Sequence, residues 1–128
     1  MKIGLIGKKI GMSREFLDSG LSIPVTILSI EKGRIINVFT KEKRGYDAIQ
    51  VGFGKVKNTK LSKQMKGFFV KKSTEPRKFL KEFRVNNISE YKEGNEIGLE
   101  LFKDEKFVDI RSKTIGKGFA VVMKRHNF

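Results

Sequence analysis

Residues 22–40 read Ser22-Ile23-Pro24-Val25-Thr26-Ile27-Leu28-Ser29-Ile30-Glu31-Lys32-Gly33-Arg34-Ile35-Ile36-Asn37-Val38-Phe39-Thr40. β-Branched residues dominate both halves, and Ile23, Val25 and Ile27 fall on one alternating face, the period of a strand with one side covered. Glu31-Lys32-Gly33 reads as the turn of a hairpin that joins a strand over 22–30 to a second over 34–40. After a polar turn around Lys43-Arg44-Gly45, Ala48-Ile49-Gln50-Val51-Gly52-Phe53 continues the meander as a third strand. Pro24 has no N–H for a central ladder, which places its strand at an edge or places Pro24 at a strand start.

Downstream the pattern changes period. Leu61, Met65, Phe68, Phe69 and Lys72 lie three and four residues apart, with Thr59 or Ser62 available as an N-cap, so a short helix is predicted, weakened by Gly67. Phe79, Leu80, Phe83 and Val85 predict a further strand. The turn Glu93-Gly94-Asn95-Glu96 introduces another over Ile97, Leu99, Leu101 and Phe102, and Phe107-Val108-Asp109-Ile110 and Ala120 to Met123 read as short strands. Several strands at roughly ten-residue spacing with one helix predict a mainly β fold, a small barrel or sandwich carrying an insert.

The chain has 128 residues, of which 28 are Lys or Arg and 14 are Asp or Glu, a net charge of +14. That length fits one domain, and 38% hydrophobic residues with 11 Phe can build a core despite the charge. No apolar run approaches the ~20 residues of a membrane-spanning helix, and Met1-Lys2-Ile3-Gly4 does not open a secretory leader, so a soluble, unexported protein with no membrane partner is expected. The absence of Cys removes disulfides, zinc ribbons and thiol nucleophiles, and a single His cannot build a multi-histidine metal site. No metal, no cofactor and no small-molecule substrate are expected. A charge this far from zero points instead to an anionic partner, first of all nucleic acid.

The charge is also segregated. Residues 1–14 carry four bases and no acid, 15–54 balance at five against five, and 55–81 hold ten bases against Glu75 alone. Residues 82–109 reverse the sign with eight acids and four bases, and 110–128 return to five bases and no acid. A solvated enzyme surface intersperses its signs, whereas blocks of this kind suit a face pressed against polyphosphate.

Gly4-Leu5-Ile6-Gly7-Lys8-Lys9-Ile10-Gly11 does not meet the spacing of a phosphate-binding P-loop. Its glycines let an N-terminal strand bend or approach another backbone, and they let Lys8 and Lys9 come close to a sugar-phosphate chain. Arg111-Ser112-Lys113-Thr114-Ile115-Gly116-Lys117-Gly118-Phe119 and Lys124-Arg125-His126-Asn127-Phe128 combine bases, glycines and aromatic rings, a chemistry suited to RNA. Phe119, beside Val121 and Val122, is expected in the core. His126 and Phe128 are candidates for stacking on an unpaired base, and His126 has no triad partner for catalysis. Glu93, Glu96, Glu100, Asp104 and Glu105 lack metal-loop spacing and read as a solvated acidic face, or one that meets a basic neighbour.

The run Ile3-Gly4-Leu5-Ile6-Gly7-Lys8-Lys9-Ile10-Gly11-Met12-Ser13-Arg14 resembles the opening of the universal large-subunit ribosomal protein three family, bacterial or organellar type. The resemblance continues through Ile23 to Thr26, Gly45 to Gly52, Glu82-Phe83-Arg84, Gly116 to Ala120, Lys124-Arg125 and Asn127-Phe128. It implies a Greek-key barrel of the translation-protein type with a small α+β insert. The barrel is incomplete in this chain, since family members continue past Phe128 into a long loop and closing strands. On that plan, 1–55 are N-terminal barrel strands, 56–96 a basic insert with a short helix, and 97–128 barrel strands leading to a basic RNA-contacting tail. It also implies a structural, non-catalytic protein of the bacterial cytoplasmic or organellar ribosome, whose partners are large-subunit (23S-type) rRNA and neighbouring ribosomal proteins. The expected rRNA contacts are Lys2, Lys8, Lys9 and Arg14; Lys55, Lys57, Lys60, Lys63 and Lys66; and Lys113, Lys117, Lys124, Arg125, His126 and Phe128. The sequence departs from the family's common Lys, Gly and Trp at Ile115, Val121 and His126. A free-standing architectural or regulatory nucleic-acid-binding module outside the ribosome is the alternative.

Overall fold

A computed structural model describes residues 3–128 in six strands and three short α-helices. Strands β1 (Gly7–Phe16) and β2 (Ser22–Ile30) form a two-stranded antiparallel ribbon. Strands β3 (Gly33–Phe39), β4 (Ala48–Lys55), β5 (Arg77–Arg84) and β6 (Glu96–Ile97) form a second antiparallel sheet in the order β5-β4-β3-β6. Three successive strands and a fourth that returns beside the first is the Greek-key order. The sheet is open, with β5 and β6 at its edges, so the fold is mainly β and its barrel is not closed.

The expected hairpin between 22–30 and 34–40 does not form. β2 pairs back onto β1, through a turn in which the Gly20 amide donates to the Leu17 carbonyl and the Leu17 amide to that of Leu21. Gly20 takes the left-handed conformation, φ 81°, that a side chain disfavours. β3 pairs instead with β4 and β6. The reason lies at Gly33: a Cβ there would sit 2.5 Å from the Phe53 ring and 2.7 Å from a Val51 methyl. Gly33 is therefore the point where the backbone presses into the core, and the chain leaves the ribbon at Glu31-Lys32 to enter the other sheet. The β3–β4 hairpin follows the expected meander, with a bulge at Ile36 that puts Ile36 and Asn37 on one face. Asn37, buried, donates to the Gln50 side chain at 2.8 Å, which satisfies its amide.

Ile3, Ile35, Ile49, Val51, Phe53, Val85 and Ile97 make the core, and Leu5, Ile6, Val38, Phe83, Ile88 and Tyr91 pack around it. The predicted helix is α2 (Lys63–Lys71), and Ser62 is its N-cap, the hydroxyl accepting from the Met65 amide. Met65, Phe68 and Phe69 of the predicted stripe are its least exposed residues, and Leu61 and Lys72, just outside its ends, are half-buried. The one-turn helix α1 (Lys41–Arg44) occupies the β3–β4 connection.

Three expected strands are absent or shortened. Pairing with β3 stops at Ile97, and Leu99–Phe102 turn into a 3-10 helix. Residues 107–110 find no strand partner among the described residues and remain irregular, with Phe107 and Ile110 exposed. Residues 122–126 are not a strand but the helical turn α3 (Val122–His126). Asn127 at φ 55° lets the Phe128 amide reach the Met123 carbonyl at 3.1 Å, the closure that ends a helix rather than extends a strand.

Candidate nucleic-acid interface

The ribbon decides how the N-terminal bases are presented. Residues paired across an antiparallel ladder share a face. The bulge between Lys9 and Gly11 shifts the alternation, so Lys9, Met12, Arg14 and Phe16 stand on the face of their partners Leu28, Thr26, Pro24 and Ser22. Lys8 pairs with Ser29 and points to the opposite face, the one that carries Ile23, Val25 and Ile27. The structure therefore joins Lys9 and Arg14 with an exposed Met and Phe and sets Lys8 apart. Lys2 lies outside the described residues. The expected close backbone approach holds at Gly4, next to the Phe83 ring, and at Gly7, next to Ile30 and the Ser29 carbonyl, but not at Gly11, which has open space.

The bases of residues 55–66 are presented by the end of β4 and the β4–β5 connection. Lys55 ends β4, Lys57 and Lys60 flank and close a 3-10 turn over Asn58–Lys60, and Lys63 and Lys66 lie three apart on the solvent face of α2. All five are exposed. Burying the apolar stripe of α2 is what turns its lysines outward. Two other bases of this region are used internally. Arg77 is buried beside Gly52, 3.7 Å from the Glu75 carboxylate, and Lys72 pairs with Glu93 at 2.9 Å.

Lys113 and Lys117 lie on an irregular segment, while Lys124, Arg125 and His126 follow one another around α3. Arg125 donates to the Ala120 carbonyl at 3.1 Å, which fixes its guanidinium to the helix start. Phe119, expected in the core, is 95% exposed, and Phe128 is exposed as well. No described strand or helix lies against residue 119, so the expected packing with Val121 and Val122 has no surface to join. Gly116 and Gly118 have open space, consistent with a backbone free to follow another molecule.

The acidic residues converge elsewhere. Glu90, Glu96 and Glu100 line an open groove of about 300 Å³ with Tyr91, Asn95 and Leu101, on the β6 side of the sheet. No group of three metal-ligating side chains occurs among the described residues. No helix is long and apolar enough to cross a membrane.

Sequence reasoning missed one cluster of bases. Arg44 lies over the Phe39 ring at 4.7 Å and Arg84 over the Tyr46 ring at 5.1 Å, both at the α1 end of the sheet. The signal was present only as a register: once β3, β4 and β5 are paired, Phe39, Ala48 and Arg84 share a row.

No protein-family model matches the chain. Matches to curated proteins nevertheless cover essentially all of this chain. A large ribosomal subunit protein uL3 of Pelagibacter ubique is 62% identical over 127 residues, 99% of this chain. The chain belongs to the uL3 family. The uL3 proteins of Syntrophus aciditrophicus and Magnetococcus marinus are 46% and 44% identical over all of it. The uL3 likeness thus runs through ribbon, sheet and tail alike. The chain spans little more than half the length of the curated relatives it matches, 54%, 59% and 60% for these three uL3 proteins.

Proposed function

We propose that this chain is a structural constituent of the large ribosomal subunit. It binds 23S-type rRNA through the ribbon bases Lys8, Lys9 and Arg14, the insert bases Lys55 to Lys66 and the tail residues Lys113, Lys117, Lys124, Arg125, His126 and Phe128. The observation that carries the reading is that all of these side chains are exposed while Met12, Phe16, Phe119 and Phe128 stand uncovered among them. Bases supply phosphate contacts, and exposed rings and thioethers supply apolar area that a stacked nucleobase covers. Neighbouring ribosomal proteins are the second class of partner, and the groove lined by Glu90, Glu96 and Glu100 suits a basic one. The role is architectural, in a bacterial or organellar ribosome: it neutralises phosphate and fixes RNA junctions, with no catalysis and no cofactor. The names of the relatives favour the ribosome over a free-standing module.

Salt is the test. With about 6 phosphates neutralised, affinity of the full chain for large-subunit rRNA falls on the order of a thousandfold between ~50 and ~200 mM salt. Sedimentation in moderate salt places the protein with the large subunit. A salt-insensitive binding constant, or a protein that stays at the top of the gradient, overturns the reading.

A further inference from the structure

The α1 end of the four-stranded sheet carries a surface that the expected rRNA contacts do not include. Phe39, Ala48 and Arg84 form one row across β3, β4 and β5. Phe39 and Arg84 therefore flank the fully buried Ala48, with backbones about 10 Å apart, two inter-strand spacings. The two arginine–aromatic stacks stand on this row, Arg44 on Phe39 and Arg84 on Tyr46. The neighbouring Glu82 carboxylate, through hydrogen bonding and its charge, raises the Tyr46 phenol above its ordinary pKa, while Arg44 and Arg84 pull it down.

The frame is fixed from below. The Asp47 carboxylate accepts from the Lys41 amide at 2.7 Å, and the Asp47 carbonyl accepts from the Val85 amide at 3.2 Å, locking the α1 turn to the ends of β4 and β5. These contacts also occupy the acids. Asp47 serves the turn, Glu82 serves Tyr46, and Glu42 alone opposes Lys41 and Lys43 on α1. Among the described residues neither Arg44 nor Arg84 forms an ion pair, although both are exposed.

Stacking holds a guanidinium plane in place, so less side-chain freedom is lost when its outward N–H fork takes up an anion, and a planar fork matches two phosphate oxygens at once. A lone phosphate or a single acidic side chain satisfies one fork and leaves the other. Two forks flanked by two lysines call for repeated negative charge on one chain. We propose that Arg44 and Arg84, stacked on Phe39 and Tyr46 and flanked by Lys41 and Lys43, clamp the sugar-phosphate backbone of RNA at this end of the sheet. The clamp rests on the rRNA-binding reading above and adds to it a surface separate from ribbon, insert and tail.

The test measures binding of the full chain, of R44Q/R84Q and of R44K/R84K to large-subunit rRNA extracted from bacterial ribosomes across a salt series. Circular dichroism checks folding. The Gln pair is expected to flatten the slope of log affinity against log salt by about 2 and to weaken binding at least about tenfold. The Lys pair keeps the slope but loses several-fold in affinity, because a point charge replaces a fork. A folded Gln pair with wild-type slope and affinity overturns the clamp; if K9A/R14A still lowers the slope, the broader reading stands without it. Should the Gln pair unfold, a folded Lys pair with wild-type affinity overturns the clamp instead. A wild-type chain whose binding ignores salt overturns both readings. Variants that bind RNA normally but lose a protein neighbour from assembled subunits assign the patch to protein, which also overturns the RNA clamp.

Discussion

β2 and β3 follow each other in the chain and are both rich in Ile and Val, yet they end in opposite surroundings. Ile35 and Ile36 of β3 are 1% and 0% exposed, while Ile23 and Ile27 of β2 are 41% and 45% exposed. Both strands are antiparallel, and β2 is the longer of the two. What differs is the number of neighbours: β3 is flanked by β4 and β6, whereas β2 has β1 alone. A β-branched alternating run therefore specifies a strand, but not what covers it. Where only one neighbour exists, both faces stay open: Lys8 stands on the face of Ile23 and Ile27, and Lys9 and Arg14 stand on the other with Met12 and Phe16.

The largest effect that separates the two regions is truncation of a ring. Phe53→Ala in the sheet is expected to cost about 3–5 kcal/mol in urea denaturation, through lost transfer energy and the cavity left behind. Phe16→Ala in the ribbon changes stability by no more than about 0.5 kcal/mol. Comparable losses at both sites would show that the ribbon is packed and would remove the contrast. Next in size is a difference between basic regions. Lys117→Ala with Arg125→Ala weakens rRNA binding about tenfold or more, each lost phosphate contact adding to the loss, and by more than Lys78→Ala with Lys81→Ala. Equal losses from the two pairs would mean that total charge alone counts.

Within the α2 region, Ser62→Ala removes the cap on the Met65 amide and costs about 1 kcal/mol, read as a lower melting temperature. Lys72→Ala, which breaks the half-exposed pair with Glu93, costs less than about 1 kcal/mol, and less again in high salt. The smallest effect is one of titration. Because the Glu82 carboxylate raises the Tyr46 phenol, Glu82→Gln shifts its ionisation to lower pH, seen in alkaline ultraviolet difference spectra. The sign follows for stability: a phenol raised by folding stabilises the protein below its unfolded pKa, and that contribution fades as the pH climbs through the folded value.

The chemistry of this surface was legible further than its geometry. Ser62, the stripe from Leu61 to Lys72 and the strands expected over 48–53 and 79–85 follow from periodicity and capping, which are local. The partner of β2 was misjudged because Glu31-Lys32-Gly33 resembles a hairpin turn, whereas the turn that forms is Asp18-Ser19-Gly20. Only the crowding of Phe53 and Val51 onto Gly33 decides between them, and that contact spans twenty residues. The exposed Phe119 and the helical Val122–His126 were lost for the same reason, since a short apolar run takes its structure from what it meets. The Arg44 and Arg84 stacks needed a three-strand register, which no local pattern carries.

The Greek-key order also sets a timetable. The β1–β2 ribbon closes through a turn at Leu17 to Leu21 and can form within microseconds of leaving the ribosome that makes it. β3 must wait for Ile97, its partner at Gly33, a separation of 97 − 33 = 64 residues. At synthesis rates of roughly 5–20 residues per second, that is an interval of roughly 3–13 seconds. Throughout it, one side of β3 offers unpaired N–H and C=O groups to whatever strand arrives first. The tail emerges after Ile97, so its bases reach solution only when β6 is already available to cover that side of β3.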